Sequence, residues 1–181
     1  YESDNLHKMT EFNSVGVTND STYRYVKNGG WFTYRMAVDD SASMLRLRIK
    51  LRKTDNGKTL RVRAGDAILY SGELNYSGDE NVYEVMYVIP DDVRERCVYS
   101  VTADGKEYSV LDVTFSSAVD GKESAKVCDF IYMDAVTPLY EYDSSIAYYV
   151  DCGDHNTSTV TGRDKFGMLN CITEQLYSAD E

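Results

Sequence analysis

Residues 28–38 have the sequence Asn28-Gly29-Gly30-Trp31-Phe32-Thr33-Tyr34-Arg35-Met36-Ala37-Val38, a pair of glycines followed by an aromatic-rich segment with the only tryptophan of the chain. Glycine reaches positive φ without steric cost, so the pair predicts a sharp turn just before a strand. Beyond the turn, side chains of two kinds alternate, which is typical of a strand with one buried face. That face should contain Phe32, Tyr34 and Met36. The stretch predicts packing and contains no catalytic motif.

Alternating segments continue through most of the chain that follows. The clearest is 44–52, where leucine and isoleucine occupy one face and basic residues the other. An Asn56-Gly57 pair suits a hairpin, so we expect the strand at 59–64 to return beside this one, with the two basic faces adjacent. An Asp104-Gly105 pair predicts a second hairpin. Helix signals are confined to residues 90–96, which predict one helical turn after a proline.

About eight short, regularly spaced strands predict an all-β fold, an antiparallel β-sandwich of the jelly-roll kind. We expect this module to span residues 1–135 and residues 136–181 to be a tail or the truncated start of a following module. The chain begins at Tyr1, and we expect it to be a piece of a longer polypeptide. Residues 1–27 should form an extended, edge-like lead-in. Its expected anchors are His7, Phe12, Val15 and Val17.

The overall charge argues against two classes of partner. The formal net charge is -11, which opposes nonspecific binding to nucleic acid or to an anionic membrane. No apolar stretch approaches the roughly 20 residues that a membrane-spanning helix needs. We therefore expect neither nucleic acid nor membrane as a partner. The charge is uneven, however, because residues 46–63 contain eight basic side chains and one acid.

Four cysteines have a spacing that matches neither a zinc site nor a CxxC redox pair. Buried free thiols are the simplest interpretation. If the protein is secreted, a disulfide between Cys152 and Cys171, or between Cys97 and Cys128, is the alternative.

Three segments of the chain, taken in combination, give a family resemblance. They are Gly29-Gly30-Trp31-Phe32-Thr33-Tyr34, Thr59-Leu60-Arg61-Val62-Arg63-Ala64-Gly65-Asp66-Ala67-Ile68 and Tyr83-Glu84-Val85-Met86-Tyr87-Val88-Ile89-Pro90. Together they resemble the β-sandwich module found C-terminal to the catalytic domain in bacterial β-L-arabinofuranosidases, glycoside hydrolase family 127 and its relatives. The resemblance covers roughly residues 20–135. The chain departs from it at residues 50–53, where the family often has Tyr-Trp-Gly, and at residues 120–124.

The resemblance implies an accessory module of a large secreted or cell-surface bacterial glycosidase. Such a module packs against the catalytic domain of the same polypeptide, and it could also bind plant or host glycan. The catalytic domains of these enzymes are helical barrels with a zinc-bound cysteine near a glutamate, an arrangement that this chain does not match. We therefore expect the chain itself to be no enzyme and its parent to be a glycoside hydrolase. Two alternatives remain: a true carbohydrate-binding module for arabinose-containing or anionic glycan, and an adhesion or protein-interaction module.

Candidate ligand-binding residues are aromatic or basic. Most of the 16 tyrosines should pack in the core, and the candidates for stacking on sugar are Trp31, Tyr76, Tyr140 and Tyr142. A basic face could bind an anionic glycan such as a uronate-bearing pectic chain, since guanidinium binds carboxylate in a bidentate way. More often such a face is a solvated sheet surface, is paired across strands with acids such as Glu84, or is an interface with an acidic neighbouring domain. The arginines concerned are Arg46, Arg48, Arg61 and Arg63.

No motif requires a cofactor. A structural calcium could use the oxygen donors of Asp151 and Asp154, with Asn156 and Asp164 nearby in sequence. Their spacing matches no calcium-loop motif, which favours a solvated acidic loop.

Overall fold

A computed structural model describes residues 8–18 and 22–136. The chain divides into a unit spanning Tyr1–Thr137 and a unit spanning Pro138–Glu181, and the second unit lies outside the described residues. The elements within the described ranges are nine strands and two short helices. They are β1 (Met9–Thr18), β2 (Thr22–Ala37), β3 (Met44–Arg52), a 3-10 helix (Lys53–Asp55), β4 (Thr59–Ala64), β5 (Ala67–Glu73), β6 (Val82–Ile89), α1 (Asp91–Cys97), β7 (Tyr99–Ala103), β8 (Lys106–Ser116) and β9 (Val127–Val136).

The strands form one sheet that folds over into two layers. Its hydrogen-bonded order is β5-β4-β8-β2-β9-β3-β6, with β1 paired to β2 and β7 paired to β8. The first layer contains β4, β5, β7, β8 and the C-terminal half of β2 with the start of β1 beside it, and the second contains β3, β6 and β9. The end strands β5 and β6 approach each other, since the rings of Tyr70 and Tyr87 have centroids 6.1 Å apart. The fold is the antiparallel, jelly-roll-like β-sandwich that the sequence predicts.

The core lies between the two layers and is built from alternate residues of each strand. In the first layer the rings of Phe32 and Phe115 stack at 4.9 Å, beside Leu60 and Val62. The second layer contributes the inward face of β3. Its four apolar residues are Leu45, Leu47, Ile49 and Leu51, and all are buried. The prediction that one face of β3 is buried in the core is therefore confirmed.

Strand β2 connects the two layers, and here the structure corrects the sequence prediction. Asn28 and Gly29 have positive φ, 24° and 71°, as a turn would require. The chain nevertheless does not reverse, and β2 continues through them from Thr22 to Ala37. Its C-terminal half pairs with β8 and its first residues pair with β9. The glycine pair is a bend inside one long strand.

The partner strand β1 bends at the same level. Its register with β2 shifts between Phe12 and Ser14, and Asn13 between them has a φ of 54°. The Asn13 side-chain amide donates to the carbonyl oxygens of Lys27 at 3.2 Å and Asn28 at 3.3 Å. A bulge of this kind increases the local bend of a strand pair. As expected, β1 is an edge strand, because it pairs with β2 and with no other described strand.

The predicted hairpin between β3 and β4 is wrong. Strand β3 lies between β6 and β9, whereas β4 lies between β5 and β8. After β3 the chain crosses from the second layer to the first through the 3-10 helix. The Asp55 carboxylate, which is buried, secures this crossing by accepting from the backbone N–H of Lys126 at 2.9 Å and pairing with Lys58 at 3.3 Å. The two basic faces therefore lie on different layers.

Two local predictions are confirmed. The β7–β8 hairpin turns at Asp104 and Gly105, with φ of 51° and 73°, the positive pair that a type I′ turn needs. Helix α1 follows Pro90 directly.

The cysteines within the described ranges, Cys97 and Cys128, are free, so the proposed disulfide between them is wrong. Cys97 ends α1 and its thiol lies 3.3 Å from an Asp66 carboxylate oxygen, whereas Cys128 is buried in β9. Burial raises the pKa of the Cys128 thiol. Cys152, Cys171 and the expected anchor His7 lie outside the described residues. No helix in the described part of the chain is long and apolar enough to cross a membrane.

Candidate functional site

An aromatic pair lies on the outer surface of the first layer. The register of β1 and β2 places Phe12 directly opposite Trp31, and directly opposed residues of an antiparallel pair share one face of the sheet. Phe12 is 60% exposed and Trp31 38% exposed. The prediction that Phe12 is an anchor of residues 1–27 is therefore wrong, because its side chain lies on the exposed outer side of an edge strand.

Two rows of side chains extend from this pair across the first layer. The registers β2–β8, β8–β4 and β4–β5 define them. The first row is Phe12, Trp31, Ser116, Arg61 and Ser71, and the second is Thr10, Thr33, Thr114, Arg63 and Ile68. We refer to these two rows as the aromatic face. Adjacent strands are about 4.8 Å apart, so Arg61 lies roughly 10 Å from Trp31 along its row.

The arginines of the aromatic face contact only neutral groups among the described residues. Arg61 donates to the Ser71 hydroxyl at 3.3 Å and to the Ala118 carbonyl oxygen at 3.0 Å. Arg63 is exposed, and it donates to the Asp66 carbonyl oxygen at 3.5 Å. Within residues 8–18 and 22–136, no carboxylate forms an ion pair with either arginine. Neither guanidinium charge is therefore neutralised by a carboxylate of the described ranges.

The basic face of β3, on the second layer, is different because acids already occupy it. Arg46 is buried and pairs with Asp134 at 2.7 Å. Arg48 makes two hydrogen bonds to the Glu84 carboxylate, at 2.7 and 3.0 Å, and also lies 3.4 Å from Asp134. The bond to Glu84 raises the pKa of Arg48. Cross-strand pairing with acids, the second interpretation of these arginines, describes this surface.

Large apolar side chains surround these ion pairs. Tyr132 lies beside Arg48, whose guanidinium carbon is 5.5 Å from its ring centroid, and the ring of Phe130 is 6.0 Å from that of Tyr132. The other exposed apolar side chains of this surface belong to β6, the last strand in the hydrogen-bonded order. The exposed members are Val82, Met86, Val88, Phe130 and Tyr132, and we refer to them as the apolar face.

The other sequence-predicted residues do not join either surface. Tyr76 stacks on Tyr83 at 3.9 Å with an interplanar angle of 7° and packs against the core, so one of its ring faces is already covered. Tyr140, Tyr142, Asp151 and Asp154 lie outside the described residues. Among the residues that are described, no cluster of three or more His, Cys, Asp or Glu side chains could hold a metal ion.

Sequence reasoning missed Phe12 and could not rank the arginines. Phe12 pairs with Trp31 only through the β1–β2 register, which the sequence does not reveal. Of the aromatic face, the sequence identified Trp31, Arg61 and Arg63 as candidates.

Several solved structures have a similar backbone. A family 35 carbohydrate binding module from Clostridium thermocellum is 12% identical, with a TM-score of 0.45, over 71% of this chain and 92% of that one. CBM35 from Paenibacillus barcinonensis is 11% identical, with a TM-score of 0.46, over 75% and 97%. The GH115 4-O-methyl-alpha-glucuronidase BtGH115A is 15% identical, with a TM-score of 0.39, over 70% and 16%. Similarities of this size carry no information about function, and the fold class follows from the strand order.

None of these three structures concerns glycoside hydrolase family 127, so that likeness stays a prediction. No curated protein sequence matches the chain. Residues 1–114, from the N-terminus into β8, match a family of unknown function, DUF6805. Because this match covers more than half of the chain, the chain belongs to this family.

Proposed function

We propose that the chain is a non-catalytic, carbohydrate-binding β-sandwich that contacts glycan through its aromatic face. The observation that supports this is the exposed cross-strand pair of Phe12 and Trp31. A large aromatic ring left in water loses the free energy that burial would provide. Neighbouring exposed apolar side chains therefore indicate a surface that a ligand covers.

The groups around the pair suit a sugar in particular. A sugar ring has an apolar C–H side, which fits an aromatic ring, and a rim of hydroxyl groups that need hydrogen-bonding partners. The hydroxyl groups of Ser71 and Ser116 lie in the same row as Trp31 and can both donate and accept. Arg61 adds donors. An apolar platform with a few polar groups is the usual composition of a small-molecule site.

The single tryptophan makes this proposal directly testable, since the intrinsic tryptophan emission of the chain reports on Trp31 alone. Titration of the whole 181-residue chain with soluble arabinan and xylan should shift this emission saturably for at least one polysaccharide. Affinity electrophoresis should show that Trp31→Ala weakens binding by about tenfold or more, as expected for a central aromatic contact.

The matched control is Tyr132→Ala, which removes a similarly exposed ring from the other layer and should leave affinity unchanged. An unchanged emission with every polysaccharide, or a Trp31→Ala variant that binds as well as the original chain, would exclude the aromatic face as the site.

A second role, packing against a neighbouring domain, is supported by the apolar face. The charged side chains that lie among these apolar residues are already paired with each other, since Glu84 and Asp134 both form ion pairs with Arg48. A protein neighbour can therefore cover its apolar side chains without supplying counter-charges. Covering a charge that already has its partner leaves no uncompensated buried charge, which is the costly case.

The packing role predicts thermal coupling. Joined to the domain that neighbours it in the natural polypeptide, the module should unfold at a higher temperature than alone, and Met86→Lys should remove the difference. Identical unfolding midpoints for the joined and separate modules would contradict it.

These two roles describe an accessory module whose parent is a secreted or cell-surface bacterial glycoside hydrolase, with catalysis performed elsewhere in the polypeptide. The arabinofuranosidase assignment within that class is supported by the three sequence segments that resemble the family 127 module.

A further inference from the structure

We propose that the aromatic face selects acidic polysaccharides, with Arg63 and Arg61 binding uronate carboxylates while Phe12 and Trp31 contact the sugar rings. This inference rests on the proposed function and names the ligand class of the same site.

The first argument is the charge state of the arginines. The chain has 30 acidic side chains and 19 lysines and arginines, and five of the seven other arginines that the structure describes pair with acids. Arg24 lies 2.6 Å from Glu11, and Arg96 lies 2.9 Å from Asp66. Arg61 and Arg63 have no acidic partner among the described residues, and they lie on a surface that also exposes aromatic rings.

The second argument is the state of the donors. Arg61 is held in place by Ser71 and by the Ala118 carbonyl oxygen, so little side-chain freedom is lost when it binds a ligand. Arg63 makes a long contact, 3.5 Å, to a backbone oxygen, which leaves most of its donors for a bidentate bond to carboxylate. Neutral sugars have no group that uses this charge.

The third argument is position. Arg61 is in the row of Trp31, two strands away, and Arg63 is in the next row on the same strand. The resulting spacing of roughly 10 Å can be bridged by neighbouring units of one glycan, so a ring can stack on Trp31 while the carboxylate of another unit reaches the arginines.

The fourth argument separates uronates from densely sulfated chains. The aromatic face has two available cations, whereas the whole molecule has a net charge of -11. A dense polyanion would meet repulsion over most of the surface, while a chain with one carboxylate per sugar presents its charge mainly where the arginines lie.

The test compares two forms of one backbone, polygalacturonate and its fully methyl-esterified form, with the Trp31 emission of the whole chain as the readout. The acidic form should bind roughly tenfold tighter at low salt, the value of a hydrogen-bonded charge pair. Raised salt should reduce the difference. Arg63→Gln should remove the preference for the acidic form, with a smaller loss of affinity for the ester than for the acid. Arg61→Gln should reduce the preference.

Arg48→Gln is the matched control, since it removes an acid-paired arginine from the other layer and should leave the preference unchanged. Circular dichroism and thermal unfolding are the checks that each variant is folded. Equal affinity for both forms, or a preference that survives Arg63→Gln, overturns the inference while neutral glycan binding still stands. Tighter binding of heparin than of polygalacturonate overturns the choice of uronate. Silence with every glycan overturns the proposed function and this inference together.

Discussion

Gly30 lies directly before Trp31, at a point where the backbones of β1 and β2 approach each other closely. It is buried, and a Cβ atom built on it would lie 2.6 Å from the carbonyl oxygen of Asn13, 2.7 Å from that of Phe12 and 2.8 Å from that of Lys27. These are backbone atoms, so they cannot move aside as a flexible side chain would. The close approach of β1 and β2 at this level, and with it the Phe12–Trp31 pair, requires glycine.

Gly30→Ala should therefore lower the free energy of unfolding by about 1–3 kcal/mol, the usual cost of forcing a methyl group into an occupied space. Gly29→Ala is the control, because Gly29 has a φ of 71° and a Cβ added there would meet no described atom within 4 Å. The left-handed backbone alone should cost about 1 kcal/mol there. Urea unfolding measures both. If Gly30→Ala is as stable as the original chain, the close approach of the two strands is wrong.

The ion pairs of β3 give a second prediction at the residue scale. Asp134→Asn removes the charge that faces the Arg46 guanidinium, whose side chain is only 5% exposed. Loss of a partner from a largely buried pair should cost about 2–3 kcal/mol. Glu84→Gln, at a pair in which both side chains are about a third exposed, should cost about 1 kcal/mol or less. Equal losses in urea unfolding would contradict a structural role for Arg46.

Single residues were only partly predictable from the sequence. Trp31 was identifiable as a candidate because it is unique and follows the glycines. Arg46 and Arg61 look alike in sequence, since both alternate with leucine or valine. What separates them is Asp134, which is 88 residues from Arg46 and reaches it only through the β3–β9 pairing.

Among the elements, turns with purely local causes were predictable and crossings between layers were not. The Asp104-Gly105 hairpin formed because both residues adopt positive φ. Asn56 has a φ of -54° before Gly57 at 85°, which is a type II turn and not the hairpin type. The Asn56 side chain instead bonds the backbone of Tyr76, donating to its oxygen at 2.8 Å and accepting from its nitrogen at 3.0 Å. A contact 20 residues away in sequence thus accompanies the crossing between layers.

Helix α1 is linked to the β4–β5 turn by an exposed ion pair, which gives a prediction about pH. The Arg96 guanidinium, helped by the Cys97 thiol, lowers the pKa of Asp66 below its ordinary 3.8. A lowered folded-state pKa contributes stability above the unfolded-state pKa, and this contribution is lost as the pH falls through the folded value. Arg96→Gln should raise the pKa of Asp66 towards 3.8 in a carboxyl NMR titration. An unchanged value would show that the ion pair does not form in solution.

At the scale of the whole molecule, the two layers have outer surfaces of different character. The aromatic face combines exposed rings with arginines that lack acidic partners among the described residues, whereas the apolar face combines exposed aliphatic and aromatic side chains with paired charges. The sequence predicted a β-sandwich with a cationic segment at residues 46–63. It could not show that the fold divides this segment between the layers, because that division depends on the crossing after β3. The division is what leaves Arg61 and Arg63 available.

The location of the glycan site is the central claim, and NMR titration of the isotope-labelled chain tests it most directly. Increasing amounts of galacturonate oligomer should shift the indole N–H of Trp31 and the backbone amides of Arg61, Arg63 and Ser116. The amides of Arg48 and Tyr132 on the other layer should stay in place. Shifts confined to β3, β6 and β9, or no shift at any concentration, would contradict the account.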